Sequence, residues 1–485
     1  MKKLLAALGV AVVVIAVVAL VRARQFTPRR VPVPPAVDAN PLPGAVDRLV
    51  AAIRIPSVSP ADSAQRDSAA FRAMHAHLAR SFPRVHATMR REVVGKDALL
   101  YTWVGTDSTL PPIVLMGHFD VVPVEPGTET RWTHPPFSGA LTDSHVWGRG
   151  TLDDKSTVLG VLEASEALLA EGFAPRSTVY LAFGADEEVG GQRGAAVIAA
   201  MLRSRGIRPH FVLDEGGAVV AGVAPGVRAP VALVGIAEKG FASLELVVRA
   251  EGGHSSMPPR NTAAGVLARA ITRVEGNPFP GSIRGAAAQQ LDALGREMSF
   301  GRRVIFANRW LFDPAIERQL ATSPQTDAML RTTTAVTMLE GSPKDNVLPS
   351  QARAVVNFRI LPGDSVAGIV DRARRVIGDL RVDVRLLGVA TEPSQISPTN
   401  TDAWALLERS IRQVYSDAVV VPYLVLGGTD SRYFRDLTPN VYRFAGFRLE
   451  AEDLSRFHGT NERIAIASYL EGIRFLAQLL RNAAG

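Results

Sequence analysis

The segment LMGHFDVVPV joins an apolar run to a histidine and an aspartate that stand two residues apart, His118 and Asp120. Residues i and i+2 of a strand point to the same face of the sheet. The two side chains can therefore act as a metal-binding imidazole and the carboxylate that orients its other ring nitrogen. Taken alone, the pair fits a structural histidine satisfied by a nearby aspartate equally well.

Three further acidic clusters follow the same pattern. GRGTLDDK places Asp153 and Asp154 directly before a predicted helix, where two carboxylates either cap the helix or bind a cation. ADEEVGG places Glu187 and Glu188 after an apolar run. They form either a solvated acidic turn or one metal ligand beside one general base. VLDEGG places Asp214 at the end of a third apolar run.

The last candidate ligand is His458, in the polar segment RFHGTNERI. Together the clusters offer two imidazoles and three carboxylates, and the chain has no cysteine, so a metal site must use His, Asp and Glu. Two metal ions about 3.5–4 Å apart, bridged by one carboxylate, would use that inventory fully. Imidazole and carboxylate ligands favour Zn²⁺, with Co²⁺ or Mn²⁺ as alternatives.

The apolar patterns around these residues predict an α/β domain. PPIVLMGH, STVYLAFGADEE and PHFVLDEGG each run apolar for four or more residues and then turn polar, which is typical of strands covered on both faces. DDKSTVLGVLEASEALLAEG between the first two carries an apolar helical stripe. We expect a mostly parallel sheet flanked by helices, with sites beyond the carboxyl ends of its strands.

A second domain is predicted inside the first. GFASLELVVRA, RTTTAVTMLEG, ARAVVNFRILPG and RVDVRLLGV read as strands, and TAAGVLARAITRVE and DSVAGIVDRARRVIGDL read as helices. This pattern indicates an inserted α+β two-layer lid domain over about residues 239–390. The catalytic domain then comprises residues 44–238 and 391–485. At 485 residues, two domains is also the natural expectation.

The net charge of +7 belongs almost entirely to the N-terminus. Residues 1–30 contain no acid, and their six basic residues account for six of the seven positive charges: Lys2, Lys3, Arg22, Arg24, Arg29 and Arg30. The folded part is therefore close to neutral, which gives no support to nucleic-acid binding.

The uninterrupted apolar run Leu4–Val21 predicts a membrane anchor over residues 1–25. A cleaved signal peptide is the alternative, but no A-x-A-like site precedes Arg22. We expect an uncleaved transmembrane helix with the catalytic part outside the cytoplasm, although basic residues on both sides give no clear orientation. The proline-rich segment 26–43 then predicts a semi-rigid spacer that holds the globular part off the bilayer.

Ten motifs occur in the order seen in a known enzyme family, which the chain resembles from about residue 44 to its end: GHFDVVPV, W…PPFSG, GRGTLDDK, ADEEVGG, LDEGG, GGHSSMPP, DNVLPS, NFRILPGD, GGTDSRYF and FHGTNERI. The family comprises dinuclear-zinc exopeptidases and amidohydrolases, including aminoacylase, carboxypeptidase G, carnosinase and succinyl-diaminopimelate desuccinylase. The fullest resemblance is to the carboxypeptidase S branch and its relatives, the N-fatty-acyl-amino-acid hydrolases.

The resemblance implies a role for each motif residue. His118, oriented by Asp120, binds one zinc together with Glu188 and Asp214. Asp153 bridges both metals, and the peptide bond that follows it is cis. His458 binds the second zinc, and Glu187 is the general base.

The resemblance also implies roles for residues outside the metal motifs. His254 stabilises the oxyanion, in several relatives across a dimer interface, so a homodimer through the inserted domain is expected. Arg359 and Asn346 hold the carboxylate or the carbonyl oxygen of the substrate, and Gly427 and Gly428 offer backbone N–H groups to the carboxylate.

The expected reaction is zinc-dependent hydrolysis of an amide bond next to a free carboxylate. A peptide substrate would make the protein a carboxypeptidase, and a long acyl chain would make it an N-acyl-amino-acid amidase. A binding protein that has lost catalysis on the same fold is the alternative outside enzymes. The presence of Glu187 beside all the candidate ligands argues against it, because a binding protein needs no general base.

Overall fold

A computed structural model describes residues 1–29, 32–37, 41–222 and 224–485. The chain begins with the helix α1 (Lys2–Gln25), and two larger sheets follow it. Of the predicted proline-rich spacer, residues 30, 31 and 38–40 lie outside the described residues.

The first part of the chain after α1 supplies five helices and nine strands among the described residues: α2 (Ala45–Ile53), α3 (Ser68–Ser81), α4 (Pro83–Thr88), β1 (Arg90–Val94), β2 (Ala98–Trp103), β3 (Ile113–His118), β4 (Ala140–Leu141), β5 (His145–Trp147), α5 (Lys155–Ala170), β6 (Val179–Gly184), α6 (Ala195–Ser204), β7 (Val212–Asp214), β8 (Val219–Val220) and β9 (Val231–Glu238). The middle part consists of β10 (Gly240–Arg249), β11 (Gly253–His254), α7 (Ala263–Glu275), α8 (Gly285–Glu297), α9 (Phe300–Phe306), α10 (Arg309–Leu320), α11 (Pro324–Asp327), β12 (Thr333–Glu340), β13 (Val347–Leu348), β14 (Gln351–Ile360), α12 (Val366–Ile377) and β15 (Val382–Thr391). The last part consists of α13 (Asp402–Val414), β16 (Val419–Val425), β17 (Val441–Arg443), β18 (Arg448–Leu449), β19 (Arg463–Ala465) and α14 (Ile466–Ala484).

The large central sheet has ten strands and is mixed. Its order is β1-β2-β6-β3-β7-β17-β9-β8-β18, and β16 pairs with β9. The strands around the predicted site, β6, β3, β7 and β17, are parallel neighbours. The pairs β1–β2, β2–β6, β9–β17 and β8–β9 are antiparallel. The pairs β9–β16 and β8–β18 are parallel as well, so five of the nine strand pairs of this sheet among the described residues are parallel and the sheet is mixed.

The three apolar runs of the sequence are the strands β3, β6 and β7, and they lie side by side in the order β6-β3-β7. Every residue of these three strands is buried. The helix α5 contacts β3 and is itself covered by α2, α4 and α14. That cover explains why nearly all of α5 is buried although it carries charged side chains.

The middle part forms a second sheet with its own core. The antiparallel order is β12-β14-β10-β15, and the helices α7 and α12 pack against it. Each helix begins at a hydroxyl residue that accepts a backbone N–H bond, Thr262 for α7 and Ser365 for α12. All six predicted elements of the inserted domain are present here.

Four helices between α7 and β12 were not predicted, and they do not belong to this second core. Leu294 of α8 packs with Val231 and Val421 of the central sheet. The helix α8 therefore lies against β16, so the two-layer description covers only part of residues 239–390.

Two described residues of the proline-rich segment contact the globular part. The backbone carbonyl of Arg29 accepts a hydrogen bond from Arg412 on α13, at 2.8 Å. The backbone N–H of Val37 donates to Gln478 on α14, also at 2.8 Å. Arg29 and Val37 therefore contact the globular part, because an extended chain leaves its backbone groups free to bond to the helices beside it, and the spacer stays a prediction.

Candidate metal centre and active site

The first imidazole of the site stands at the carboxyl end of β3. His118 is 1% exposed, and its Nδ1 lies 3.0 Å from the backbone carbonyl oxygen of Asp120. A carbonyl oxygen only accepts hydrogen bonds, so Nδ1 carries a proton, and Nε2 faces the site. The carboxylate of Asp120 lies 3.4 Å from the same Nδ1.

Asp120 also fixes the glutamate turn that follows β6. Its two carboxylate oxygens accept the backbone N–H groups of Glu187 and Glu188, each at 3.2 Å. Because Asp120 is fully buried, these charge-assisted bonds are shielded from water and set the position of both glutamates relative to His118.

Asp153 lies between the two imidazoles. Its Oδ1 is 3.0 Å from Nε2 of His118, and its Oδ2 is 3.0 Å from Nε2 of His458. The peptide bond between Asp153 and Asp154 is cis, as the family resemblance implies. One carboxylate therefore offers one oxygen to each histidine.

Two more carboxylates complete the cluster, one on each side. Glu188 Oε2 lies 3.2 Å from Nε2 of His458, and Glu215 Oε1 lies 3.3 Å from Nε2 of His118. Ligand atoms of His118, Asp153 and Glu188 lie within 4.8 Å of one another, as do those of His118, Asp154 and Glu215.

This arrangement differs from the expected one at two residues. The carboxylate of Asp214, the expected partner of His118, accepts the N–H of Ser431 at 2.8 Å. The next residue, Glu215, lies beside His118 in its place. Successive side chains at the end of a strand point to opposite sides, so a one-residue difference decides which carboxylate faces His118. Glu188, expected on the His118 side, has its closest imidazole in His458.

Negative charge is concentrated at this site. Burial raises the pKa of Glu215 to about 8 and raises the pKa of Glu187 well above its usual value. Burial also disfavours ionisation of Asp153, but hydrogen bonds from both imidazoles bring its pKa below its usual value. Hydrogen bonds with Asp153 and Glu188 raise the pKa of His458 to about 10.

The residues present fit a divalent metal ion. Among the described residues, Oε1 of Glu188 and Oδ1 of Asp154 are buried and have no hydrogen-bond partner. Two imidazoles with several carboxylates are the donor set of zinc and similar cations. A cation would compensate the buried carboxylates that hydrogen bonds leave unsatisfied.

A model of a known protein family, Peptidase family M20/M25/M40, matches residues 114–482 of the chain. The chain belongs to this family. It is accordingly a metal-dependent hydrolase, and the histidine–carboxylate cluster is consistent with that assignment.

The relatives agree with the predicted branch. The chain is 43% identical over 414 residues to a probable carboxypeptidase S-like 2 of Dictyostelium discoideum, covering 85% of this chain and 79% of that protein. It is 41% identical over 442 residues to the N-fatty-acyl-amino acid synthase/hydrolase PM20D1 of Xenopus tropicalis, covering 90% of this chain and 85% of that protein.

Solved structures of the family share the fold. The M20 family metallo-carboxypeptidase Sso-CP2 from Sulfolobus solfataricus has a TM-score of 0.68 at 17% identity, covering 91% of this chain and 99% of that chain. Human carnosine dipeptidase 1 has a TM-score of 0.62 at 15% identity, covering 90% of this chain and 95% of that chain.

In this M20 enzyme, the predicted substrate residues lie on two separate elements. His254 is exposed on β11, and the neighbouring Ser255 donates its N–H to the backbone carbonyl of Asn346 at 3.1 Å, so the two predicted residues lie side by side where β11 pairs with β13. Arg359 lies on β14, with its guanidinium 5.1 Å from the ring centroid of Phe241. Within the described residues, no hydrogen bond or ion pair joins His254, Asn346 or Arg359 to the metal cluster.

Gly427 and Gly428 are exposed in the loop after β16 and lead to two residues that the sequence analysis missed. Arg432 lies 4.0 Å from Oε1 of Glu187. Asp430 is buried, and neither of its carboxylate oxygens has a hydrogen-bond partner among the described residues. The motif GGTDSRYF was noticed, but nothing in it distinguished these two side chains from surface polar residues.

A buried ion pair holds the two segments that carry Asp153 and His458. Glu462 accepts hydrogen bonds from Arg149 at 2.6 Å and from the backbone N–H groups of Gly150 at 2.9 Å and Leu152 at 2.8 Å. Arg149 in turn donates to the backbone carbonyl of His458 at 3.1 Å. Glu462, the acid of FHGTNERI, thus positions the segments of both Asp153 and His458, which only the tertiary structure shows.

A cavity of about 440 Å³ opens beside His458. Its lining is largely polar or charged and includes Arg131, Trp132, Arg149, Glu452 and Arg456. A group bound next to the second imidazole would therefore meet polar surface.

Proposed function

We propose that this enzyme hydrolyses an amide bond adjacent to a free carboxylate, using two zinc ions. His118 and Glu215 would hold one ion, His458 and Glu188 the other, and Asp153 would be shared between them. A carboxypeptidase and an N-fatty-acyl-amino acid hydrolase both act on such a bond, and relatives with both names are 41–43% identical to this chain.

The observation that carries the proposal is the position of Asp153. Its two oxygens face two different imidazoles, each at 3.0 Å. A helix cap or a solvated acidic turn would not require this arrangement. A carboxylate shared between two cations does require it.

The zinc ions, when bound, would polarise the substrate carbonyl and make water a better proton donor. Glu187 would then accept the proton of the attacking water and pass it to the nitrogen of the leaving amine. Asp120 contributes by holding the backbone of Glu187 in place, as its hydrogen bond of 3.2 Å indicates.

The predicted inserted domain and the loop after β16 would supply the remaining contacts. His254 would stabilise the negative charge that develops on the carbonyl oxygen. Arg359 and Asn346 would hold the substrate carboxylate or its carbonyl oxygen, and the N–H groups of Gly427 and Gly428 would bond to the carboxylate. Because His254 on β11 and Arg359 on β14 lie in the predicted inserted domain, and Glu187 follows β6 of the central sheet, catalysis on this scheme requires the inserted domain to close as a lid.

Different observations support two kinds of acyl group on the substrate, a peptide and a long acyl chain. The polar cavity beside His458 favours a peptide, which would bring hydrogen-bonding groups to that surface. The similarity to N-fatty-acyl-amino acid hydrolases, together with an apolar N-terminal helix, favours a long acyl chain. Hydrolysis of a dipeptide panel beside N-lauroyl and N-acetyl amino acids distinguishes the two.

Replacement of the base tests the mechanism. Glu187→Gln should keep its bound zinc and lower kcat by roughly 10²–10⁴-fold, because proton transfer contributes about that much. Glu275→Gln, at an exposed glutamate that ends α7, serves as the control with unchanged kcat. Near-normal turnover of Glu187→Gln with a full metal complement would exclude Glu187 as the base.

The location and assembly of the enzyme are further proposals. Among the described residues α1 alone is long and apolar enough to cross a membrane, and a signal sequence has the same properties. We favour an uncleaved anchor with the catalytic part outside the cytoplasm. A homodimer through the second sheet is supported by its edge strand β12, where Met338 and Leu339 are exposed.

A further inference from the structure

The end of α1 is attached to the globular part by specific contacts. Asn308, which is fully buried, donates from Nδ2 to the backbone carbonyl of Ala19 at 3.0 Å. Arg22 donates from Nε to the backbone carbonyl of Ala307 at 3.2 Å. Ala23 and Phe26 pack against Ala307 in one small core. These contacts set the position of α9 and α10 relative to the anchor helix.

The contacts also set a depth in the membrane. Leu4–Val21 is an apolar run of 18 residues, which in a helix is about 27 Å long and close to the roughly 30 Å hydrocarbon core. Arg22 therefore marks the boundary between hydrocarbon and headgroups. Ala19 lies within one helical turn of Arg22, so Asn308, which is bonded to Ala19, lies at the same boundary.

The surface next to Asn308 has the composition of a membrane interface. We define the interfacial patch by four exposed apolar side chains of α9 and the first turn of α10: Phe300 (41% exposed), Ile305 (37%), Trp310 (56%) and Leu311 (44%). Tryptophan is enriched at the headgroup level of membranes.

The charges around the interfacial patch have the sign that suits anionic headgroups. Residues 300–312 contain Arg302, Arg303 and Arg309 and no acidic residue. Arg309 is paired with Asp313 at 2.9 Å. Arg302 and Arg24, at the end of α1, are exposed. Basic side chains next to a membrane surface are attracted to anionic lipids.

We propose that the interfacial patch rests in the headgroup layer of the bilayer that α1 crosses. The ligand is thus the phospholipid surface itself, and the globular part sits directly against the membrane. This inference rests on the proposal that α1 is an uncleaved anchor. It accounts for exposed tryptophan and leucine at the depth set by Asn308, and for a proline-rich segment that lies along α13 and α14.

Spin labels on single cysteines test the proposal in the full chain. The chain has no cysteine, so one introduced thiol is the only labelling site. Leu311→Cys reports on the interfacial patch, Val14→Cys on the anchor, and Leu380→Cys on an exposed leucine between α12 and β15. Each protein is placed in nanodiscs of phosphatidylcholine and phosphatidylglycerol, and collision with oxygen is compared with collision with a water-soluble nickel complex.

We expect the labels at 14 and 311 to be shielded from nickel and the label at 380 to be accessible. Nickel access at 311 equal to that at 380, with 14 still shielded, overturns the patch proposal and leaves the anchor intact. Nickel access at all three positions overturns both. Spin–spin broadening at 311 would assign the patch to a second copy of the chain and also overturn the proposal. Phe300→Cys replaces Leu311→Cys if that variant does not fold.

Discussion

The choice between Asp214 and Glu215 as the partner of His118 can be decided by a pair of conservative variants. Glu215→Gln keeps an oxygen at the position 3.3 Å from the imidazole nitrogen but removes the negative charge. Loss of a group that merely supports a metal ligand costs about 10–100-fold in metal affinity. Loss of a direct ligand should lower the metal affinity by at least the same factor, which corresponds to roughly 1.4–2.8 kcal/mol of binding free energy.

Asp214→Asn is the matched control, because it makes the same chemical change one residue earlier. Asp214 accepts the N–H of Ser431 at 2.8 Å, and an asparagine oxygen can still accept that bond. We expect metal affinity to stay within a fewfold of the wild type. The free energy of unfolding should fall by about 1–2 kcal/mol, since a hydrogen bond to a charged group becomes one to a neutral group.

Competition with a chromophoric chelator measures the metal affinity of each variant, for Zn²⁺ and Co²⁺ separately. Thermal unfolding with and without a chelator measures how much bound metal stabilises each fold. The expected pattern is a large loss of affinity for Glu215→Gln and a small loss of stability for Asp214→Asn. The reverse pattern, with metal lost from Asp214→Asn and kept by Glu215→Gln, would refute the assignment drawn from the distances.

Three further variants follow from the same geometry. Asp120→Ala should lower the free energy of unfolding by about 1–3 kcal/mol for each buried N–H left without a partner, which thermal unfolding measures. The same variant should lower kcat, which peptide hydrolysis measures. Glu462→Gln should destabilise the fold by about 3–5 kcal/mol, because Arg149 would lose the anionic partner of its buried charge; an unchanged unfolding temperature would contradict this. Burial lowers the pKa of Lys239 from 10.5 to about 8. The folded protein therefore releases this proton before the unfolded chain does. Urea unfolding should show the stability of the wild type, relative to Lys239→Met, rising by about 3 kcal/mol between pH 8 and 10.5.

The parts of the site that can be predicted from the sequence are those that depend on the local pattern of apolar and polar residues. The runs that became β3, β6 and β7 are apolar throughout, which indicates strands buried on both faces. Polar residues directly after such strands lie at one edge of the sheet when the strands are parallel. That rule brought His118, Glu187 and Glu188 together correctly, because β3 and β6 are parallel neighbours.

The residues and helices that the sequence did not predict share one cause: their positions depend on information that the local sequence pattern does not contain. Asp214 and Glu215 are adjacent acids, and the direction in which the chain leaves β7 decides which of them faces His118. Glu462 has the sequence context of an ordinary acid in a turn before a helix. Its bonds to Arg149, Gly150 and Leu152 appear only when β19 pairs with β5. The helices α8 to α11 were missed for lack of a recognised pattern.

The sequence by itself determined which chemistry was available: imidazole and carboxylate side chains without thiolates, two adjacent glutamates after a buried strand, and an apolar N-terminal helix. These follow from residue types and short spacings, which need no knowledge of the fold. Only the tertiary structure decided which carboxylate faces which imidazole and that the proline-rich segment lies against α13 and α14. Such contacts join residues far apart in the chain, so they depend on strand order and packing.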